Sequence, residues 1–282
     1  MPFKKRASLR SPLLRRKRKR RLKKLSLGRV VPNTITMAAL CVSLSGVRFA
    51  LEERLEYAVI CIFVAAILDG MDGRFARLFK CTSPFGTELD SLADIISFGV
   101  SPALILYLTV LRELGNFGWS ISLFFCACCS LRLARFNTMS AQGGVPPWKA
   151  HFFIGVPAPA GALLALSPLI FSFYCSSIWI KNPFFVALIV GGTGLLKISR
   201  LPTFSFKKVI IPQRYTLLLL VLTSLTVICL ITEIWVTISI LTILYLLSIP
   251  YSYAVYKRLE RQHKTGTKEL AARENVKISE KK

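Results

Sequence analysis

Residues 57–112 read YAVICIFVAAILDGMDGRFARLFKCTSPFGTELDSLADIISFGVSPALILYLTVLR. An apolar run leads into an acidic, glycine-bearing centre, and a second apolar run leads out of it. Each run, with its share of the centre, supplies the ~20 residues a helix needs to cross ~30 Å of hydrocarbon. Working outward, comparable runs fall at 32–51, 57–78, 90–112, 117–136, 152–174, 183–199, 215–232 and 234–256. The expected fold is an all-α, polytopic membrane bundle of about eight transmembrane helices. The runs are continuous rather than alternating, which excludes a β-barrel. Turn residues separate them at Gly115-Asn116, Gly143-Gly144, Pro146-Pro147, Asn182-Pro183 and Pro202 through Pro212.

Charge is placed just as unevenly. Only 18% of the 282 residues are charged, against about a quarter in soluble domains. Residues 1–29 hold 14 Lys/Arg and no acid, and residues 257–282 hold nine against four Glu, so most of the formal +24 lies in the tails. That divides the chain into a basic tail (1–29, expected to be disordered), a membrane domain (30–256) and a charged C-terminal tail (257–282). A soluble enzyme and a disordered protein are both excluded. An even number of spans puts both basic tails on one side, the cytoplasmic side by the positive-inside rule. Outer connections carry only Arg54, Arg112 and Lys181, whereas inner ones carry Arg77, Lys80, Arg132, Arg135, Lys149, Lys197, Arg200, Lys207, Lys208 and Arg214. The run of seven basic residues from Arg15 to Arg21 fits anionic lipid headgroups better than nucleic acid, and lacks the amphipathic pattern of a mitochondrial presequence. Seven of the eight Cys sit in apolar runs, where thiols pack as small hydrophobes; no disulfide framework is implied. Trp235, Tyr245, Tyr251 and Tyr253 read as interfacial anchors.

The only four Asp residues, Asp69, Asp72, Asp90 and Asp94, fall within 26 positions. Inside membrane spans an ionised carboxylate costs at least ~2.5 kcal/mol, and such groups are functional by default. Asp69 and Asp72 are i,i+3 and Asp90 and Asp94 are i,i+4, so each pair shares a helix face. Gly73, Ala76 and Gly86 line those faces with small residues, leaving room for a bulky anion near the backbone. Four converging carboxylates would repel unless cations neutralise them, and an oxygen-only ligand set favours Mg²⁺ or Mn²⁺. Two divalent ions balance four negative charges and suit displacement at phosphorus. Arg77 offers a planar fork for phosphate. The chemistry this implies is that of a membrane enzyme handling a phosphorylated lipid from the cytoplasmic side.

Residues 69–94 resemble the signature of the CDP-alcohol phosphatidyltransferase family, D-x-x-D-G-x-x-A-R-x(8)-G-x-x-x-D-x-x-x-D, at every fixed position: Asp69, Asp72, Gly73, Ala76, Arg77, Gly86, Asp90 and Asp94. Other stretches extend the resemblance toward the serine-using branch of that family. Val31 to Thr36 is similar to the opening of its first span, and Leu131 to Asn137 (LRLARFN) and Phe153 to Ala162 (FIGVPAPAGA) resemble later segments. Val156 and Gly161 depart from that last pattern, and Arg200 to Ser205 resembles its RxPTFS loop. The basic N-terminal tail has no counterpart in the signature.

The resemblance implies transfer of a phosphatidyl group from CDP-diacylglycerol to the hydroxyl of L-serine, with release of CMP, by a homodimer of the inner cell membrane. By position it makes Asp69, Asp72 and Asp90 metal ligands, and Asp94 a general base beside the metals. It gives Gly73, Ala76, Arg77 and Gly86, with Asp69 and Asp72, contacts to the CDP moiety, the only nucleotide expected to bind. Asn33, Thr36, Arg132 and Arg135 are candidate substrate contacts. For the two arginines, membrane anchoring and a clamp on the lipid phosphate or serine carboxylate both stand. Neither His151 nor His263 has a Lys two positions on, so a covalent phosphatidyl-histidine of the HxK kind is not expected and a single in-line displacement is.

Three rivals remain. The first is the same chemistry with another acceptor, such as glycerol 3-phosphate or inositol phosphate. The second is an intramembrane prenyltransferase, whose Asp motifs lie roughly a hundred residues apart rather than the 21 between Asp69 and Asp90. The third is a cation transporter, which would show inverted repeats or broken helices.

Overall fold

The computed structural model describes residues 27–78, 83–141, 152–175, 182–199, 201–204 and 213–279. Residues 1–26 of the basic tail, Lys80, Lys149, His151, Arg200, Lys207 and Lys208 lie outside them.

Eight helices follow in chain order: α1 (Leu27–Leu51), α2 (Leu55–Leu78), α3 (Pro84–Thr109), α4 (Asn116–Ala141), α5 (Ala158–Ser172), α6 (Pro183–Ile198), α7 (Thr216–Thr232) and α8 (Ile234–Ser279). Four of them carry segments long and apolar enough to cross a membrane: Val30–Leu51, Pro84–Thr109, Asn116–Met139 and Ile234–Arg258. Helix α2 is as long but interrupts its apolar run with the acidic centre. Helices α5, α6 and α7 have 15, 16 and 17 residues, so at 1.5 Å per residue they cover about 23–26 Å and fall short of a full bilayer core.

The main departure from expectation is the stretch 152–174, which is not one helix. Phe152–Ile154 pairs antiparallel with Pro202–Phe204, with Phe153 opposite Thr203. Gly155, at φ +82, then turns the chain into Pro157, which opens α5. A Cβ on Gly155 would lie 2.6 Å from the Lys197 carbonyl, so the turn needs glycine for conformation and for space. Helix α8 continues past residue 257, through the charged C-terminal segment, to Ser279.

Helix pairs meet through small residues, as membrane helices do where backbones approach closely. Gly46 of α1 faces Ala58 and Cys61 of α2; a Cβ there would sit 2.9 Å from the Ala58 carbonyl. Gly99 of α3 lies against Cys129 of α4, and Gly194 of α6 against Cys128 and Phe124. The cysteines of α4 are therefore packing residues, free of disulfides. Between these contacts lies one buried core, drawn from Ile62, Phe98, Leu106, Phe125, Leu166, Ile170 and Val190 among others. A smaller cluster of Val156, Leu164 and Ile249, with Tyr245 against it, seals α5, α8 and the ribbon.

Helix α3 changes pitch midway. Ser83 caps its start, accepting from the Gly86 amide at 3.0 Å, and Pro84 fills the first turn. From Ile96 to Val100 the helix widens into a π turn, one turn beyond Asp94. A proline lies just beyond it. Pro102 has no N–H to offer the carbonyl four residues back, that of Phe98. Lys197, at the end of α6, donates its Nζ to that carbonyl at 2.9 Å. A similar substitution recurs in α5, where Pro168 leaves the Leu164 carbonyl to the Ser167 hydroxyl at 2.7 Å.

Helix α7 buries none of its residues; Leu217 and Ile231 are 75% and 79% exposed. A helix apolar on every face and packed on almost nothing is stable only where the surroundings are apolar too. The protein is an integral membrane protein.

Candidate active site

The acidic centre of α2 and the first half of α3 meet beside α1. One carboxylate oxygen from each of Asp69, Asp72 and Asp90 lies within 4.8 Å of the other two. Asp72 is 4% exposed and accepts a hydrogen bond from the Thr36 hydroxyl at 2.6 Å. Thr36 is itself buried and also reaches the Pro32 carbonyl, at 3.1 Å, so α1 fixes the orientation of this carboxylate. Asp94, one turn beyond Asp90, meets the Asp69 side chain directly. Both expected faces therefore exist, and they converge.

The donor set fits a hard divalent cation. It is all oxygen, three donors are gathered within bonding span of one ion, and one ligand is held by a neighbouring hydroxyl, as metal-binding side chains commonly are. Asp94 adjoins the group from the Asp69 side.

The small residues behave differently from one another. A Cβ on Gly86 would sit 2.8 Å from Asn33 Oδ1 and 3.2 Å from Ser83 Oγ, so glycine here lets α1 and the α3 cap close together. A Cβ on Gly73 would meet nothing within 4 Å; that position borders open space rather than protein. Ala76 and Arg77 lie on the last turns of α2, and their side chains fall outside the described residues.

The two arginines of α4 separate in role. Arg135 donates to the Ile198 and Ser199 carbonyls at 3.0 and 3.2 Å, capping the C-terminus of α6. Arg132 lies within electrostatic reach of Asp69 and Asp94, yet no carboxylate comes within 4 Å of it among the described residues. Its Nε is buried without a hydrogen-bond partner. Inter-helix hydrogen bonds brace the surroundings: Asn137 Nδ2 to Ser91 Oγ at 2.9 Å ties α4 to α3, and Ser43 Oγ to Ser97 Oγ at 3.0 Å ties α1 to the π turn.

Two residues escaped sequence reasoning. Lys197 counted as a cation of an inner loop, but it is fully buried, its ammonium 3.9 Å from the centre of the Phe125 ring. Gly161 makes the room, since a Cβ there would overlap the Lys197 stem. The departure of Gly161 from the family's PAPA segment is thus matched by a lysine threaded past it. Tyr245 counted as an interfacial anchor, but it is half-buried and its hydroxyl is enclosed. The available signals were a lysine on an otherwise apolar helix and a proline without a partner for its i−4 carbonyl.

A cluster of intramembrane aspartates, able to hold a divalent ion and backed by small residues, defines a class of membrane transferase that acts on nucleotide-activated lipids. The chain belongs to the CDP-alcohol phosphatidyltransferase family: the family model matches residues 29–196, and a second model, CDP-alcohol phosphatidyltransferase 2, matches residues 214–250. Among curated relatives it is similar to a CDP-diacylglycerol–serine O-phosphatidyltransferase of Mycobacterium leprae, 36% identical over 79% of this chain and 74% of the relative. Proteins of the same name in Helicobacter pylori and Bacillus subtilis are 36% and 32% identical, over 69% and 63% of this chain and 80% and 92% of theirs.

Proposed function

We propose that this phosphatidyltransferase uses L-serine as acceptor, converting CDP-diacylglycerol and serine to phosphatidylserine and CMP in the inner cell membrane. Its site faces the cytoplasm, with both termini on that side. The observation that carries the reading is the convergence of Asp69, Asp72, Asp90 and Asp94 in a chain whose similarity to serine transferases runs over most of its length. Asp69, Asp72 and Asp90 would hold Mg²⁺ or Mn²⁺, as a pair of divalent ions, with Asp94 beside Asp69. Bound there, such ions would neutralise the carboxylates and supply charge stabilisation for the leaving phosphate.

The chain's own residues do the rest. Gly73, with its open flank, and Ala76, Arg77 and Gly86 receive the CDP moiety; Asn33 supports Gly86 from behind and Thr36 aims Asp72. Asp94 accepts the serine hydroxyl proton as the oxygen bonds to the phosphorus bearing diacylglycerol. The bond from that phosphorus to the CMP oxygen breaks in the same displacement, and the electron pair leaves with CMP. The basic N-terminal tail engages anionic headgroups, and the protein works as a homodimer.

The test is CMP release from CDP-diacylglycerol in purified membranes. Release should require L-serine and Mn²⁺ or Mg²⁺ and stop on chelation. Release driven by glycerol 3-phosphate would reassign the acceptor, and ion flux in liposomes without substrate would favour a transporter.

A further inference from the structure

Beyond the aspartates, α4, α8 and the β-ribbon enclose a second polar group. Arg132 brings a buried Nε with no partner, and Tyr245 a buried hydroxyl with none. The two lie within electrostatic reach of each other. Thr203, 1% exposed, stands beside the Tyr245 hydroxyl and spends its own proton on the Gly155 carbonyl at 3.0 Å. Lys197 lies near Arg132 with its ammonium already engaged by the Phe98 carbonyl. Two cations are thus sunk in a membrane bundle, and neither has a carboxylate within 4 Å among the described residues. A buried cation is costly unless an anion meets it. A buried orphan donor likewise costs the full price of its lost hydration.

Position tells which anion. Asp72 and Gly86, assigned above to the metal and the nucleotide, touch α1 through Thr36 and Asn33. Asp94 and Asp69 lie within electrostatic reach of Arg132 on α4. In-line displacement puts the entering and leaving oxygens on opposite sides of phosphorus. With CMP on the α1 side, the acceptor enters from the α4 side, past Asp94.

We infer that Arg132 and Tyr245 form the pocket for the carboxylate of the acceptor amino acid, Arg132 through Nε and Tyr245 through its hydroxyl. The inference rests on the acceptor proposed above and adds residues outside the aspartate signature. The Tyr245 ring, packed with Val156, Leu164 and Ile249, holds its hydroxyl in place. An acceptor without a carboxylate leaves both donors orphaned, and a site built around buried polar groups rejects such a ligand strongly. The pocket is therefore the specificity determinant for an amino acid over an amino alcohol.

The experiment compares L-serine with serinol, which keeps the amine and hydroxyl but lacks the carboxylate, in CMP-release assays of the full-length protein. Tyr245→Phe preserves the ring and should raise the KM for L-serine about ten-fold, leaving the KM for CDP-diacylglycerol and turnover of serinol unchanged. Arg132→Gln should shrink the preference for L-serine over serinol by about a hundred-fold. A raised KM for CDP-diacylglycerol instead would assign Arg132 to the lipid phosphate and overturn the pocket. L-serine kinetics unchanged in Tyr245→Phe, with the serine-to-serinol ratio unchanged in Arg132→Gln, would overturn it alone. Failure of the unmodified protein to use L-serine would remove the acceptor assignment and the pocket with it.

Discussion

Asp94 and Thr36 show how far single side chains divide the work. Asp94 sits against Asp69, while Thr36 binds Asp72. Replacing Asp94 with Asn would remove the proposed proton acceptor while keeping the shape. CMP release should fall by about 10²–10⁴-fold, the usual contribution of a positioned base, with CDP-diacylglycerol still bound in a lipid-binding measurement. Thr36→Val should act on the metal instead. Without the 2.6 Å bond to Asp72, Mn²⁺ affinity measured by calorimetric titration should drop about 10- to 100-fold, the usual effect of losing a partner behind a ligand. The four aspartates were legible in the sequence because carboxylates in an apolar run have no bland explanation. Thr36 could be suspected but its partner could not, since threonines on a helix ordinarily satisfy themselves on a carbonyl one turn back. Thr36 does that as well, at Pro32.

At the scale of elements, Lys197 and Pro102 belong together although 95 residues separate them. The ammonium serves the carbonyl that the proline leaves unserved. Lys197→Met should destabilise the protein by about 1–3 kcal/mol, the cost of a buried orphan carbonyl, seen as a lower Tm in detergent. Adding Pro102→Ala supplies the missing N–H, and the double variant should recover most of the loss; a double variant as unstable as the single one would break the link. Hydropathy located the helices of the bundle as apolar runs, but it took Phe152–Ile154 into the fifth run and ended the last one at 256, short of Ser279. It could not show the π turn, since prolines inside α1, α5 and α8 leave those helices regular, nor the ribbon, whose three-residue strands are too short to carry a period of two. It also misplaced Lys197, because a lysine at a helix end normally reaches for the interface. Here Gly161 opens a path inward instead.

For the whole molecule, the bundle is uneven. Helices α1 to α6 and the start of α8 share one core, and α7 touches it through Leu230 without burying a residue fully. On the proposed topology, eight crossings would return the chain to the side it started from. Reporter domains fused in turn to the N-terminus and the C-terminus should both score as cytoplasmic, as the weight of basic residues in the tails demands. Opposite scores would mean that one of the short helices α5, α6 or α7 fails to cross.

The π turn at Ile96–Val100 also sets a phase. One residue advances an α-helix by about 100°, so a wide turn acts as a single added residue that lets the two halves of α3 face independent directions. The lower half is free to aim Asp90 and Asp94 at the reacting centre, while the upper half turns Ile105 and Leu106 into the core. Shortening that segment by one residue would leave composition and length almost untouched and swing the carboxylates about a quarter-turn off target.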